Sequence, residues 1–176
     1  MTCNPDFNSS KHNTTKAFSE YMENLAALHV DLSHSDGEKH FFRGELSEFY
    51  AGFRDSVNFP ALILEGSELQ FTSDQAHNSF KIRDTSFMIV QHYAESDDYD
   101  AIAGAFDFCE QIGDDIFRKI NSDKYDPCCM VIKDFHFDDV SAFQIQNEKE
   151  RYAGWRYTIA PKTPFCDLVN EDKWKK

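Results

Sequence analysis

The sequence has little glycine and none of the glycine-rich loops that bind phosphates or build a nucleophile elbow. Only 7 of its 176 residues are Gly, and the patterns GxGxxG, GxxxxGKS or GxxxxGKT, and GxSxG do not occur. Such loops need residues without a side chain, because the backbone must approach the ligand closely. This absence argues against a nucleotide-dependent enzyme, and no other pattern indicates catalytic residues or a bound cofactor.

Long apolar runs are missing as well. Apolar runs such as those at residues 61–64 and 87–90 fall far short of the roughly 20 residues that cross a bilayer. Residues 1–16 are polar and lack the apolar stretch of a signal peptide. We therefore expect no membrane contact and no secretion by the signal-peptide route.

The cysteines show no spacing typical of a zinc or redox site. There are five, an odd number, and none forms a CxxC pair. We expect reduced thiols in a cytosolic setting, with one in the core and the adjacent pair at a strand edge. The full set is Cys3, Cys109 (the expected core thiol), Cys128, Cys129 and Cys166.

Basic residues are outnumbered 18 to 31 by acidic ones, which gives a formal net charge of −13. An acidic chain repels DNA and RNA at long range. The densest basic cluster, Lys173, Lys175 and Lys176, is typical of a solvated tail. We therefore expect no sequence-specific binding of nucleic acid.

Aromatic residues, in contrast, are abundant. They make up 15% of the chain and include 17 Phe, so there is ample material for a core. The length corresponds to about one domain. We predict a single domain over residues 14–165, a flexible N-terminal arm at residues 1–13 and a polar C-terminal tail at residues 166–176.

Hydrophobic spacing predicts two helices near the N-terminus and then a series of strands. Over residues 14–32 and again over 40–53, apolar side chains recur every three or four positions. Strands are predicted at residues 61–64, 69–72, 80–82 and 85–93, with turns at 65–67 and 73–74. The last strand is apolar on both faces, as in a central strand. The second helix would carry Phe42, Leu46, Phe49, Tyr50 and Phe53.

The clearest amphipathic helix is predicted at residues 99–120, after an acidic cluster at 95–98 that would cap it. Three strands follow at residues 129–137, 140–146 and 152–160, and the first two resemble a hairpin. Pro161 and Pro164 would end the last strand. The fold class is therefore α+β: a mostly antiparallel sheet with a long amphipathic helix packed on one face and two N-terminal helices.

A possible metal site lies in the predicted strand at residues 129–137. Alternation with Phe places Asp134, His136 and Asp138 on one face, and such donors suit a divalent metal. However, any half-buried strand shows the same polar and apolar alternation. Because no further ligands are evident in the sequence, we predict no metal site.

The order of elements resembles the tail-terminator and head-to-tail joining proteins of tailed bacteriophages. The likeness is carried by Phe59-Pro60-Ala61-Leu62, by residues 86–92, by the helix at 99–120 and by Gly154-Trp155-Arg156-Tyr157-Thr158-Ile159. It covers residues 14–164 and is one of layout. The Asn-rich start and the Lys/Trp tail match no feature of that family.

The resemblance implies a non-enzymatic structural protein of the virion, made in the cytoplasm of the bacterial host. Such proteins form homo-oligomeric rings, typically hexamers, between the tail tube and the connector, and DNA passes through as cargo. An acidic channel would let DNA slide without binding. Sheet edges and the loops at residues 65–79 and 147–151 are the expected subunit contacts. The interface residues are predicted to be Glu65, Gly66, Phe71, Asn147, Arg151, Tyr152, Trp155 and Tyr157.

The residues also allow two other functions. One is a monomeric, acidic binding or inhibitor module, since an acidic surface suits a basic protein partner. The other is a metal-dependent enzyme that uses the face of Asp134, His136 and Asp138.

Overall fold

The structure is a computed structural model that describes residues 14–51, 57–74, 78–95, 97–126, 129, 131–165 and 174. Three α-helices pack on a six-stranded, mostly antiparallel sheet, which confirms the α+β class. The strand order is β1-β2-β3-β5-β4, and β6 pairs with β3. The elements are α1 (Thr15–Leu28), β1 (Phe41–Arg43), α2 (Leu46–Ala51), β2 (Ala61–Ser73), β3 (Ser79–His92), α3 (Tyr99–Asp123), β4 (Ser141–Asn147), β5 (Tyr152–Ile159) and β6 (Lys162–Pro164).

The first helix, α1, is confirmed, although it is shorter than predicted. Thr14 caps it by accepting a hydrogen bond from the Ala17 backbone N–H at 3.1 Å. The helix ends at Leu28, but Leu32 beyond it is still fully buried. The apolar spacing therefore continued past the helix because the following turn packs on the same core.

The second predicted helix, at residues 40–53, is wrong in its first half. Phe42 lies in β1, which pairs in parallel with β2 and places Phe41 opposite Leu62. Only the short helix α2 follows, and Phe49 is its buried residue. Phe53 lies outside the described residues. A few apolar residues at helical spacing also fit a short edge strand, so this pattern could not distinguish the two.

The four short strands predicted between residues 61 and 93 are two long ones. Residues 65–67, predicted as a turn, form an irregularity where β2 carries one extra residue between Leu64 and Ser67. Small and polar residues suit a β-bulge as well as a turn. The strands β2 and β3 therefore form one hairpin, which closes near Asp74 and Asn78 through the bond from the Asp74 N–H to the Asn78 carbonyl at 3.0 Å.

The strand β3 is central, as predicted, and is covered on both faces where it is most apolar. Phe87 and Ile89 point to a core shared with α1 and α3. Met88 and Val90 point to the opposite core, which is closed by Phe49 of α2. All four β3 side chains are fully buried.

The long helix α3 is confirmed and lies on the same face as α1. Asp98 caps it through a bond from the Ala101 N–H at 2.9 Å. Its buried stripe includes Cys109, Ile112 and Ile116, so Cys109 is core, as expected. Burial raises the pKa of the Cys109 thiol from 9.0 to about 12. None of the helices in the described ranges is long and apolar enough to span a membrane.

The strand predicted at residues 129–137 does not form. The chain makes a turn there, and Asp134 forms an isolated bridge to Lys162 before a 3₁₀ turn at Phe137–Asp139. The hairpin in this region is β4 with β5 instead. Cys129 therefore lies in no strand, contrary to the expected thiol pair at a strand edge, and Cys128 is outside the described residues.

The end of β5 at Ile159 agrees with the prediction, but Pro161 does not end the sheet. The Arg83 N–H donates to the Pro161 carbonyl at 3.1 Å, and β6 then pairs with β3 at residues 80–82. Together β5 and β6 occupy one edge of β3 along almost its whole length. The predicted arm at residues 1–13 lies outside the described residues, as does the predicted tail apart from Trp174.

Candidate functional site

The outer half of the β2–β3 hairpin extends past the rest of the sheet. We call residues 67–73 of β2 and 79–85 of β3 the distal hairpin, and residues 61–64 and 87–90 the proximal hairpin. In the proximal hairpin, β1 pairs with the outer edge of β2 at Leu62, Ile63 and Leu64. Among the described residues, no strand pairs with that edge from Ser67 to Ser73. The distal hairpin therefore presents unpaired backbone N–H and C=O groups.

This free edge carries few of the features that normally keep edges apart. Between Ser67 and Ser73 the only charged residue is Glu68, and the segment has no Lys and no Pro. Edge strands of monomers are usually protected by such residues. A seven-residue edge with a single charged residue and no Lys or Pro is suited to pairing with another chain.

One face of the distal hairpin is also apolar and exposed. Leu69 and Phe71 lie on the same face because they are two residues apart, and they are 42% and 61% exposed. Phe165, just after β6, is 43% exposed, and its ring meets the Phe71 ring edge-on with centroids 5.1 Å apart. We call these three side chains the distal patch, and two of them, Phe71 and Phe165, line a shallow cleft together with Phe80.

The base of the distal hairpin is firmly attached to the domain. The Arg83 guanidinium lies over the Phe18 ring of α1 at 5.3 Å and donates to the Thr15 hydroxyl at 3.1 Å. Burial lowers the pKa of Arg83. The Thr163 hydroxyl donates to the Lys81 carbonyl at 3.2 Å. The hairpin is thus held at a defined angle to the helices, which favours a specific contact over a loose one.

On the opposite face, a buried ion pair marks the border between the two hairpin halves. Arg156 binds Glu65 with two hydrogen bonds of 2.6 Å, and its guanidinium lies over the Phe143 ring at 5.4 Å. The hydrogen bonds that Arg156 donates to Glu65 raise the pKa of Arg156, and the negative charge of Glu65 adds to the effect. Glu65 is 9% exposed, so it holds β2 against β5 and is not available at a surface.

The other predicted interface residues occupy varied positions. Phe71 is in the distal patch, and Gly66 is exposed at the bulge, where its N–H donates to Glu45. The segment at residues 65–79 was expected to be a strand-rich loop, but residues 65–73 continue the strand β2 and Ser79 begins β3.

Three predicted residues lie at the β4–β5 turn and have internal partners. The Asn147 amide is buried and donates to the Phe49 carbonyl at 2.9 Å. Arg151 has a positive φ of 56° and donates to the Ala94 carbonyl. The Tyr152 ring stacks on Phe59 with centroids 4.8 Å apart. These internal contacts account for the three side chains without any contact to a partner protein.

The last two predicted residues, Trp155 and Tyr157, lie on the helix face of β5. Trp155 is half-buried and donates from its indole N–H to the Phe106 carbonyl at 3.2 Å. Tyr157 is 6% exposed, and its hydroxyl has no hydrogen-bond partner in the described structure. Both line a groove beside α3, on a strand that pairs with β3 on one side and β4 on the other.

The proposed metal face contains only a pair of contacting groups. His136 Nε2 lies 2.8 Å from Asp134 Oδ1, whereas Asp138 lies in the 3₁₀ turn. Among the residues that the structure describes, no three His, Cys, Asp or Glu side chains are grouped so as to hold a metal ion. The strand predicted at residues 129–137 was expected to place Asp134, His136 and Asp138 on one face. Because that strand does not form, the expected alternation of these residues with Phe is lost.

Sequence reasoning missed Leu69 and Phe165. Leu69 was assigned to a short strand with no stated role, and Phe165 was placed at the domain border. The local sequence contains no signal in either case, because Leu69 alternates with polar neighbours as in any half-buried strand and Phe165 stands between Pro164 and Cys166. Comparison of the chain with protein-family models, with curated proteins and with solved structures finds no match.

Proposed function

We propose that this chain is a non-enzymatic structural protein that assembles with copies of itself through the distal hairpin. The free edge of β2 at residues 67–73 is the observation that carries this proposal. Pairing with a neighbour would satisfy its backbone groups and cover Leu69 and Phe71. Each apolar side chain removed from water contributes roughly 25 cal/mol per Å².

The assembly we propose is a ring. A free edge that contacts a different surface of the next copy generates a closed ring when the rotation between copies closes. The layout-level resemblance to tail terminators and head-to-tail joining proteins of tailed bacteriophages supports a ring of six between tail tube and connector. In such a virion ring, the net charge of −13 would keep passing DNA from binding to the channel.

Electron microscopy of the purified chain tests this proposal. Negatively stained particles should show rings with an open centre, and most views should share one rotational symmetry. Particles of the size of one 20.4 kDa chain, or open filaments of varied length, would contradict a closed ring. A variant with Leu69→Ser and Phe71→Ser should lose the rings. A matched variant with Tyr99→Ser and Tyr125→Ser, which changes two exposed aromatics elsewhere, should keep them.

A further inference from the structure

A second surface, on the helix face of the sheet, has a composition suited to a ligand. A groove of about 420 Å³ lies between α3 and the β4–β5 edge. No residue of the distal hairpin lines it, so binding there would be independent of the proposed assembly. We call it the α3 groove. It is lined by Glu110, Asp114, Phe117, Arg118, Phe137, Val140, Ala142, Trp155 and Tyr157.

The floor of the α3 groove is aromatic. The Trp155 and Tyr157 rings stack with centroids 6.4 Å apart, and Phe117 meets Tyr157 edge-on at 5.2 Å. Phe137 stands at one side and is 52% exposed. Since the Trp155 indole N–H is already bonded to Phe106, the ring offers its apolar surface and its π face to a ligand.

The rim of the α3 groove is acidic. Glu110 and Asp114 are exposed on α3, one turn apart. Glu110 makes no hydrogen bond or ion pair with any residue the structure describes, and Asp114 pairs with Arg118 at 3.0 Å. Burial raises the pKa of the Tyr157 phenol, and the nearby Cys109, Glu110 and Asp114 raise it further. The charged side chains that line the groove are two carboxylates and the Arg118 guanidinium, so they carry a net charge of −1.

We propose that the α3 groove docks a lysine-bearing or arginine-bearing segment of a partner protein. The long side chains of Lys and Arg have an apolar stem and a charged end. The stem would lie on Trp155 and Phe137, where a cation is also attracted to the ring face. The charged end would reach the carboxylates of Glu110 and Asp114.

Other occupants fit the groove less well. Phosphate groups of nucleic acid or of lipid headgroups would be repelled by the acidic rim. A basic segment of another protein is attracted at long range by the net charge of the whole chain and at short range by the carboxylates of the rim.

Tryptophan fluorescence provides a direct test, because Trp155 is one of only two Trp. In the full chain with Trp174→Phe, Trp155 becomes the sole reporter. The probe is the capped peptide acetyl-Gly-Lys-Ala-Lys-Ala-Lys-Gly-amide, and the control peptide has Glu in place of each Lys. We expect a saturable change with the lysine peptide at about 50 mM salt and a several-fold weaker affinity at about 300 mM salt.

Two variants make the test specific for the rim. Glu110→Gln with Asp114→Asn should weaken peptide binding by about three- to tenfold, the effect of two exposed ion pairs. Glu38→Gln with Glu148→Gln removes the same charge from exposed positions outside both the groove and the distal hairpin and should change the affinity less than twofold. Equal losses in both variants would overturn the proposal. So would an equal response to both peptides, or a signal that follows protein concentration and so reports self-association.

Discussion

The two halves of the β2–β3 hairpin are built from the same two strands but have opposite surroundings. In the proximal hairpin, Phe87 and Met88 face two different cores and are fully buried. In the distal hairpin, Leu69 and Phe71 lie on the surface. Helices cover the first half, whereas in the second half α1 reaches only the base, at Arg83. Apolar residues in a strand are thus not always core, and a cluster of exposed ones is a candidate for contact with another molecule.

The largest difference between the two halves should appear when Phe87 is truncated. Its ring stacks on Tyr157 with centroids 5.1 Å apart and also contacts Phe117. Phe87→Ala should lower the free energy of unfolding by about 3–5 kcal/mol, because it leaves a cavity in the core. Urea denaturation followed by circular dichroism measures this. Should Phe87→Ala fail to fold, Phe87→Leu should still fold and show a smaller loss.

A second prediction concerns how closely α3 packs on β5, the strand that pairs with the proximal half of β3. Gly113 has no side chain, and an added Cβ would overlap the hydroxyl and ring of Tyr157. Gly113→Ala should therefore push α3 outward and lower the free energy of unfolding by about 1–3 kcal/mol. Gly104, on the same helix, has open space around it, and Gly104→Ala should stabilise the chain by up to about 1 kcal/mol. Thermal unfolding of both variants measures the contrast, and equal effects would refute the close fit.

A third prediction concerns the thiol of Cys109, which lies on the buried face of α3. The pKa of Cys109 is about 12 in the folded chain, against 9.0 when exposed. Above pH 9 the unfolded thiol loses its proton while the folded one keeps it, so stability falls as the pH rises. By pH 10 the loss from Cys109 should be about 1.4 kcal/mol. Cys109→Ala should show a shallower fall between pH 8 and pH 10, although Cys129, Tyr21 and Tyr157, whose pKa burial also raises, remain. An unchanged slope would contradict this account.

The smallest effect on folding is expected in the distal hairpin. Phe71→Ala should change the free energy of unfolding of a single chain by less than about 0.5 kcal/mol, because the ring is 61% exposed. The measurement is urea denaturation at a protein concentration low enough to dissociate any assembly. A loss comparable with that of Phe87→Ala would mean that the two halves do not differ as described.

The fold was largely predictable, because β3 and α3 have strong and long hydrophobic patterns. Errors arose where a short pattern fits two structures. Residues 65–67 suit a bulge as well as a turn, and Phe42 suits an edge strand as well as a helix. Residues 129–137 alternate like a strand, but in the described part of the chain their bridging partner is Lys162 alone. Local sequence does not show which segment pairs with β5.

The candidate surfaces were less predictable than the fold. Of the predicted interface residues, Phe71 is exposed, whereas Glu65, Asn147 and Tyr157 are buried. The sequence shows that a residue is apolar or charged, whereas its exposure depends on which helix lies over it. The α3 groove likewise needs residues from α3, the 3₁₀ turn, β4 and β5, and no spacing along the chain relates them.

Light scattering of the chain after size-exclusion chromatography tests the central claim most directly. The unmodified chain should elute as one species near six times 20.4 kDa, and the variant with Leu69→Ser and Phe71→Ser should elute as single chains with the same circular dichroism spectrum. The unmodified chain eluting as single chains at high concentration would contradict the account, and so would a variant whose mass does not change.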